Sequence, residues 1–341
     1  MSEQTLPPLI FGSMAHHGAG DDATRIALMQ VAVDAGFSAF DTAPLYDFGA
    51  SERRLGRALR GRDDVLVLSK VGLTWDDDHG DVLFATPSHT VRKDSRPASI
   101  LREIDQSLER LGRDRIDVLH LHHPDTHVPI GETVDAVLEA RGAGKVGEVG
   151  VSNFSPDQIR AAASALGDVP LFSVQDGYNL LERDAERVQL PVCRDLDCAF
   201  LAFSPLAQGV LAGKRRSGLS EGDWRASDPK FSPDNRAAIS TAIEIMKRVA
   251  ASHDASLSQT ALAWLLAQPT VTSVIAGART EAHVRANAGG ATLALHPTDV
   301  AALSAAFDAV RLKDGRGTRG QARDLAKRGL RKLRGLFKRG E

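Results

Sequence analysis

Along this chain, short runs of apolar and β-branched residues alternate with longer stretches whose apolar positions recur every three or four residues. Eight runs read as strands: Leu9–Gly12, Ser38–Asp41, Val65–Lys70, Ile116–His122, Val146–Val151, Phe172–Gln175, Ala199–Phe203 and Ser273–Ala276. Helical patterns are expected at Asp22–Ala35, Ser51–Leu59, Ala98–Leu111, Ile130–Ala140, Pro156–Ala165 and Glu182–Asp195, then at Arg236–Ser252, Leu257–Ala267 and Glu281–Ala288. Parallel strands need crossover connections, and eight β-α alternations predict an α/β protein built as a parallel (β/α)8 TIM barrel. Several spacings lie near 30 residues, but no sequence motif repeats, so the pattern is not that of a solenoid. The expected organisation is one barrel domain over residues 1–310, with long βα loops, and an extension over 311–341.

Two of the intervals after strands are long. Leu73–Arg96 is polar and punctuated by Gly80 and Pro87, and Gly213–Asp234 interleaves Trp224 and Phe231 with charged residues. Both should overhang the carboxyl ends of the strands. Loops of this length in a compact domain are commonly lids or binding segments, although a disordered loop is the plain alternative. Trp75, Phe84 and Trp224 are out of keeping with a purely solvated loop, which makes Trp75 and Trp224 substrate-pocket candidates.

Composition narrows the function classes. Hydrophobic residues make up 43% and charged residues 25% of 341, ordinary values for a globular protein. A formal charge of −2 gives no overall attraction to nucleic acid. No apolar run reaches the ~18 residues of a membrane span, and MSEQTLPP lacks the basic start and apolar core of a signal peptide. Two cysteines, Cys193 and Cys198, are too few for a disulfide framework, which fits a cytoplasmic setting. From Arg311 to Glu341 there are twelve Lys or Arg against three acids, with Leu325, Leu330, Leu333, Leu336 and Phe337 in an irregular amphipathic pattern. That composition is read either as attachment to an anionic membrane surface or acidic partner, or as a solvated terminal helix or disordered end.

The polar chemistry gathers at strand ends. FDTAPLYDFGASERRLGRALRGRDDVLVLSK places Asp41, Tyr46 and Lys70 at or just beyond two neighbouring strands, on the edge where barrel chemistry collects. The fourth strand reads RIDVLHLHHPD, the fifth ends GVSNF, the sixth SVQ, the seventh AFSPL, and the eighth leads into AGART.

In these motifs the chain resembles the aldo-keto reductase superfamily, in its bacterial sugar- and aldehyde-reductase-like branch. The likeness covers roughly residues 9 to 295 and rests on FDTAPLYDFGASE, the SK at 69–70, IDVLHLHHPD, GVSNFSP, QDGYNLLER, FSPLAQGVLAGK and IAGART…N. It implies reduction of an aldehyde or ketone, sugar or sugar-derived carbonyls included, to an alcohol with a nicotinamide cofactor. Tyr46 would be the general acid, and its phenol, with an unperturbed pKa near ~10, would be helped by the Lys70 ammonium that Asp41 holds in place. His122, two residues before the proline of the motif, would orient the carbonyl oxygen. His120 would be structural, and His123 would line the substrate mouth.

The same resemblance assigns the cofactor site. Ser152, Asn153 and Gln175 match positions that bind the carboxamide, and Phe203 matches the aromatic that stacks on the nicotinamide. Ser204, Leu206, Gly209 and Leu211, with Lys214, match the segment beneath the pyrophosphate. Gly12 and Asp41 would line the site from the first two strands. Gly277, Arg279, His283 and Asn287 match the adenosine-phosphate end, where a guanidinium suits a 2′-phosphate, favouring NADP(H) over NAD(H).

Three departures accompany the match. His283 stands where relatives usually carry Gln, the segment before the first strand is too short for the usual barrel-floor hairpin, and the basic tail has no counterpart. Other classes were weighed against reduction. A metal hydrolase would need His120, His122, His123 and His127 to converge, yet on a strand His120 and His122 share one face and His123 takes the other. A non-catalytic NADPH-binding regulatory subunit would retain the same residues. The polar Asp76–Asp78 and His79 point to a sugar-like substrate, with no nucleic-acid partner expected and the oligomeric state open.

Overall fold

The structure, a computed structural model, describes residues 5–14, 20–213 and 228–313. Eight parallel strands close a barrel: β1 (Leu9–Gly12), β2 (Ala39–Asp41), β3 (Leu66–Val71), β7 (Ile116–Leu121), β8 (Val146–Ser152), β9 (Ser173–Gly177), β10 (Ala199–Phe203) and β11 (Val271–Ala276), with β11 returning to β1. The expected (β/α)8 architecture is therefore present, with strand limits shifted by one or two residues. Alternation along the strands separates two cores. Ile10, Ala39, Leu68, Val118, Leu201 and Ile275 pack inside the barrel, while Phe11, Phe40, Val67, Leu119, Val149, Val174 and Phe200 join the larger cluster beneath the helices.

Helices α1 (Asp22–Asp34), α2 (Ala50–Ala58), α3 (Pro97–Leu111), α4 (Ile130–Gly142) and α5 (Pro156–Ala165) follow the expected positions. So do α7 (Arg236–Ser252), α8 (Leu257–Leu266) and α9 (Glu281–Gly289). Local chemistry marks several starts: Ser155 with Gln158 and Ser256 with Gln259 form reciprocal capping boxes, and α3 begins at Pro97. The single helix expected over Glu182–Asp195 is instead a 3-10 turn at Asp184–Glu186 followed by α6 (Gln189–Leu196). Pro191 lies in the first turn of α6, where its missing N–H costs nothing, but it could not sit deep inside one longer helix. A further helix, α10 (Pro297–Asp308), was not anticipated.

The larger correction concerns Leu73–Arg96. It is no irregular loop but a three-stranded antiparallel sheet, β4 (Leu73–Thr74), β5 (Asp81–Ala85) and β6 (Thr90–Lys93), in the order β4-β6-β5. The strands are short, and a register shift between Val82 and Phe84 puts consecutive Leu83 and Phe84 into the interior, erasing the period-two signature. Gly80 holds the sheet's entry in a left-handed conformation (φ 84°), and a Cβ there would lie 1.8 Å from the Lys93 carbonyl oxygen.

The residues just before β1 cover part of the barrel floor. Leu6 is buried in the interior cluster with Leu66, Phe172 and Ala199 packed against it, and Pro7 accepts a 2.7 Å hydrogen bond from Ser273 Oγ. Lys214, Trp224 and the basic segment from Asp314 onward lie outside the described residues. No described helix is long and apolar enough to cross a membrane.

Candidate active site

Asp41 ends β2 and Lys70 lies in β3, side by side in the barrel wall. Lys70 Nζ donates to both Asp41 carboxylate oxygens at 2.8 Å and to the Thr42 carbonyl at 2.9 Å. Gln175, from the middle of β9 across the barrel, donates Nε2 to Asp41 Oδ2 at 2.8 Å. Lys70 is 0% and Asp41 4% exposed, so this is a buried ion pair whose donors and acceptors are matched. Burial pushes the Lys70 pKa down, but the Asp41 carboxylate and the Tyr46 phenol outweigh it and the net direction is up. The side chain therefore remains an ammonium.

Tyr46 follows β2 on a turn with three consecutive left-handed residues, Asp47, Phe48 and Gly49. Asp47 secures that turn by accepting from Arg25 Nη1 at 2.6 Å and Arg54 Nη1 at 2.5 Å, while Arg54 also bonds Asp22 at 2.6 Å. Behind Tyr46, the sheet supplies an apolar wall of Leu73, Leu83, Phe84 and Val91. The Lys70 ammonium is 4.9 Å from the Tyr46 ring centroid. Burial raises the phenol's pKa and Lys70 opposes it, yet the net direction is upward. The expected help from the ammonium is thus present but outweighed by desolvation, and the phenol is held protonated.

His122 lies one residue beyond β7, tied by its N–H to the Val71 carbonyl at 2.9 Å. Its ring meets Tyr46 edge-on with centroids 6.0 Å apart. Burial, then the Lys70 charge, depress its pKa well below the ordinary histidine range, so the imidazole is neutral and can donate one N–H. The strand rule for His123 fails because β7 has already ended: the His122 and His123 rings stack at 5.3 Å, 24° from coplanar. His123 is held at about 3 by burial and by Lys93. His120 faces the interior, bonded through Nε2 to Ser173 Oγ at 2.9 Å, with Gly150 leaving it room, since a Cβ there would lie 2.6 Å from the His120 ring. His127 turns away to Asp81 at 2.9 Å. These four histidines do not converge, and no group of three or more metal-ligating side chains is found among the described residues.

The remaining predicted positions ring the same rim. Gly12 pairs in register with Asp41, Ser152 ends β8, Phe203 ends β10, and Gly277 follows β11. Asn153 (φ 62°) donates Nδ2 to the His122 carbonyl at 2.9 Å and to Ser152 Oγ at 3.0 Å. Past β10, Ser204, Ala207, Gln208 and Gly209 all have positive φ, an uncommon concentration of left-handed backbone in a loop that turns sharply around Leu206 and against buried Leu211. Gln208 Oε1 is buried there without a hydrogen-bond partner. Arg279, Thr280 and His283 cluster at the start of α9, where Thr280 caps the His283 N–H, and Asn287 donates to the Gly277 carbonyl at 3.2 Å. A helix N-terminus beside a guanidinium is suited to a phosphate, and the amide side chains at β8 and β9 suit a carboxamide, so the residues present fit a nicotinamide dinucleotide.

Residues missed by sequence reasoning sit mainly beside these. The Thr42 carbonyl is a backbone group with no side-chain signal. Phe48 stacks on His89 with centroids 3.9 Å apart and meets Trp75 edge-on at 5.4 Å, joining the half-buried Trp75 to the wall that covers Tyr46. FDTAPLYDF did contain Phe48, but its direction depends on the left-handed turn.

Comparison with known proteins identifies the family. The model of the aldo/keto reductase family matches residues 8–308. An aldo-keto reductase of Bacillus subtilis, YhdN, is 35% identical over 271 residues, covering 77% of this chain and 77% of its own. The NADH-specific methylglyoxal reductase of Escherichia coli is 32% identical over 295 residues, covering 85% and 89%. Among solved structures, a glycerol dehydrogenase from Gluconobacter oxydans superposes with a TM-score of 0.82 at 30% identity, covering 91% of this chain and 94% of that one. With the closed barrel and a family match over nearly the whole length, the chain belongs to the aldo/keto reductase family of nicotinamide-dependent oxidoreductases.

Proposed function

We propose that the protein reduces a small aldehyde or ketone to the alcohol, preferring NADPH, with Tyr46 as proton donor and Asp41, Lys70 and His122 completing the catalytic set. The observation that carries this reading is the buried Lys70–Asp41 pair beside a protonated Tyr46 and a neutral His122. The nicotinamide, when bound, supplies the hydride. The chain's own residues handle the oxygen and the proton. Neutral His122 donates an N–H to the carbonyl oxygen and orients it without adding charge. Tyr46 gives its phenolic proton to the same oxygen, and the resulting phenolate is stabilised by the ammonium Asp41 holds beside it. Ser152, Asn153, Gln175 and Phe203 would hold the nicotinamide end, and Ser204, Leu206, Gly209, Leu211 and Lys214 the pyrophosphate. Gly277, Arg279, His283 and Asn287 would hold the adenosine phosphate. The activities for which the relatives are named, on methylglyoxal and glycerol, favour a short oxygenated substrate, in keeping with the polar Asp76–Asp78 segment.

NADPH absorbance with a panel of aldehydes and ketones tests the assignment. Tyr46→Phe should lower kcat roughly 10²- to 10⁴-fold while NADPH binding persists; near-normal turnover by this variant removes Tyr46 from the role. Arg279→Ala should weaken NADPH binding roughly 10- to 100-fold relative to NADH, the scale of lost charge-assisted bonds to one phosphate. An unchanged preference would place phosphate selection elsewhere. NADPH binding without turnover of any carbonyl would instead favour a regulatory subunit.

A further inference from the structure

Lys93, the last residue of β6, differs from the arginines that follow the overhanging sheet. Arg96 pairs with Asp94 at 2.6 Å and with Asp77 at 3.1 Å, and Arg102 approaches Asp76 and Asp77 at 3.9 and 3.8 Å. Lys93 has no carboxylate within 4 Å among the described residues; its Nζ donates only to the Pro124 carbonyl, at 3.1 Å. Asp81 lies opposite it in the ladder but turns its carboxylate to His127, and Asp125 accepts from the backbone N–H groups of Ser95 and His127. Lys93 is half-buried, and desolvation pushes its pKa down despite those two acids. An ammonium partly removed from water, with a neutral carbonyl as its one hydrogen-bond partner among the described residues, keeps affinity for an anion.

Its placement gives that affinity a use. Lys93 is cross-strand partner to Leu73 and two residues from Val91, so it shares the sheet face that covers Tyr46. Pro124 follows directly on His122 and His123. The Lys93 charge acts on His123, whose ring stacks on His122. A cation thus stands at the edge of the cleft whose centre holds the carbonyl-orienting histidine and the proton-donating phenol.

We propose that Lys93 is a specificity-determining residue that binds an anionic group, a carboxylate or a phosphate, carried by the substrate at a distance from its carbonyl. This deepens the reductase reading and rests on it. The anion would replace the water that completes the Lys93 ammonium's hydration, and the Pro124 carbonyl would keep the side chain aimed while leaving two of its N–H donors available.

The test compares kcat/KM for three aldehydes of similar length, with NADPH saturating: butanal, succinic semialdehyde and glyceraldehyde 3-phosphate. The wild type should favour at least one anionic aldehyde over butanal, and Lys93→Met should cut that ratio roughly 10- to 100-fold, chiefly through KM. Lys93→Arg should restore most of it. The carboxylate and phosphate arms identify which anion the site takes. An anionic-to-neutral ratio of one in the wild type, or a ratio that Lys93→Met leaves unchanged, overturns the proposal and makes the Pro124 bond a structural tie. If no aldehyde is reduced, the reductase reading has failed. Calorimetric titration of glutarate and of glycerol phosphate into the NADPH complex then decides the anion site separately: binding lost in Lys93→Met sustains it, and binding absent from the wild type refutes it.

Discussion

At the carboxyl rim of the barrel, Asp41, Lys70 and Gln175 hold one another through bonds of 2.8 Å inside the wall, whereas the β4–β6 sheet reaches the same cleft mainly through Leu73, Leu83, Phe84 and Val91. The first region is fixed by directional bonds between strands that the barrel already positions. The second is fixed by packing, on short strands outside the barrel, with its outer face held by exposed and half-exposed ion pairs such as Arg92–Asp78 and Arg96–Asp77. The difference separates two tasks. On the proposed reading, proton handling would sit where geometry cannot drift, since a displacement of about 1 Å is enough to damage catalysis. Substrate choice, as proposed for Lys93, would sit on a layer whose sequence can change without disturbing the barrel strands.

The largest effect should come from splitting the buried pair. Lys70→Met leaves the Asp41 carboxylate with Gln175 as its remaining side-chain donor, and breaking such a pair costs about 3–5 kcal/mol. Activity should fall at least ~10²-fold as well, because the proton donor loses its neighbouring cation. Asp41→Asn should be similarly damaging to turnover. Combining the two removes both charges, so the double variant should recover much of the stability in chemical denaturation and none of the activity. A double variant that regains turnover would show that the pair serves folding alone. A Lys70→Met variant as stable as the wild type would mean that the pair is not the rigid element described above.

The same contrast explains what the sequence disclosed. Asp41, Lys70 and Gln175 are legible as rim residues because strand position fixes side-chain direction in a barrel, whereas the bond from Gln175 to Asp41 has no sequence signal, the resemblance assigning Gln175 to the carboxamide. His122 was found through its motif, but its stacking on His123 was not, because alternation stops at Leu121 where the strand does. The overhanging sheet was read as a loop since a two-residue strand, a bulge at Val82–Phe84 and a run of three aspartates leave no periodic signal. Lys93 and Phe48 were overlooked for the same reason, as their meaning depends on which way that sheet and the Tyr46 turn face. Local sequence specifies the repeating part of this molecule well. It says little about a single non-repeating insertion whose core is borrowed from the barrel beneath.

A smaller and more selective probe lies at the joint between the two regions. Gly72 connects β3 to β4 with φ 93°, and its N–H donates at 3.0 Å to Glu103 Oε2 from α3. Glu103 is buried, and desolvation raises its pKa to about 8, with Asp94 adding in the same direction and the Gly72 and Leu73 N–H groups and Arg102 opposing. In the unfolded chain this carboxyl ionises near its ordinary value of 4.5, whereas the folded protein keeps the proton until about pH 8. Its contribution to stability is therefore complete below pH 4.5 and is lost progressively up to pH 8, by at most about 1.4 kcal/mol for each pH unit. Glu103→Gln keeps the shape and an acceptor for Gly72 but cannot ionise. The thermal midpoint of the variant minus that of the wild type should then rise steadily from pH 5 to pH 8, whatever its sign at pH 5. A difference that stays flat across this range would mean that Glu103 is ionised in the folded protein and that the joint is held by a charged acceptor, making it an extension of the directional network below rather than of the apolar sheet above.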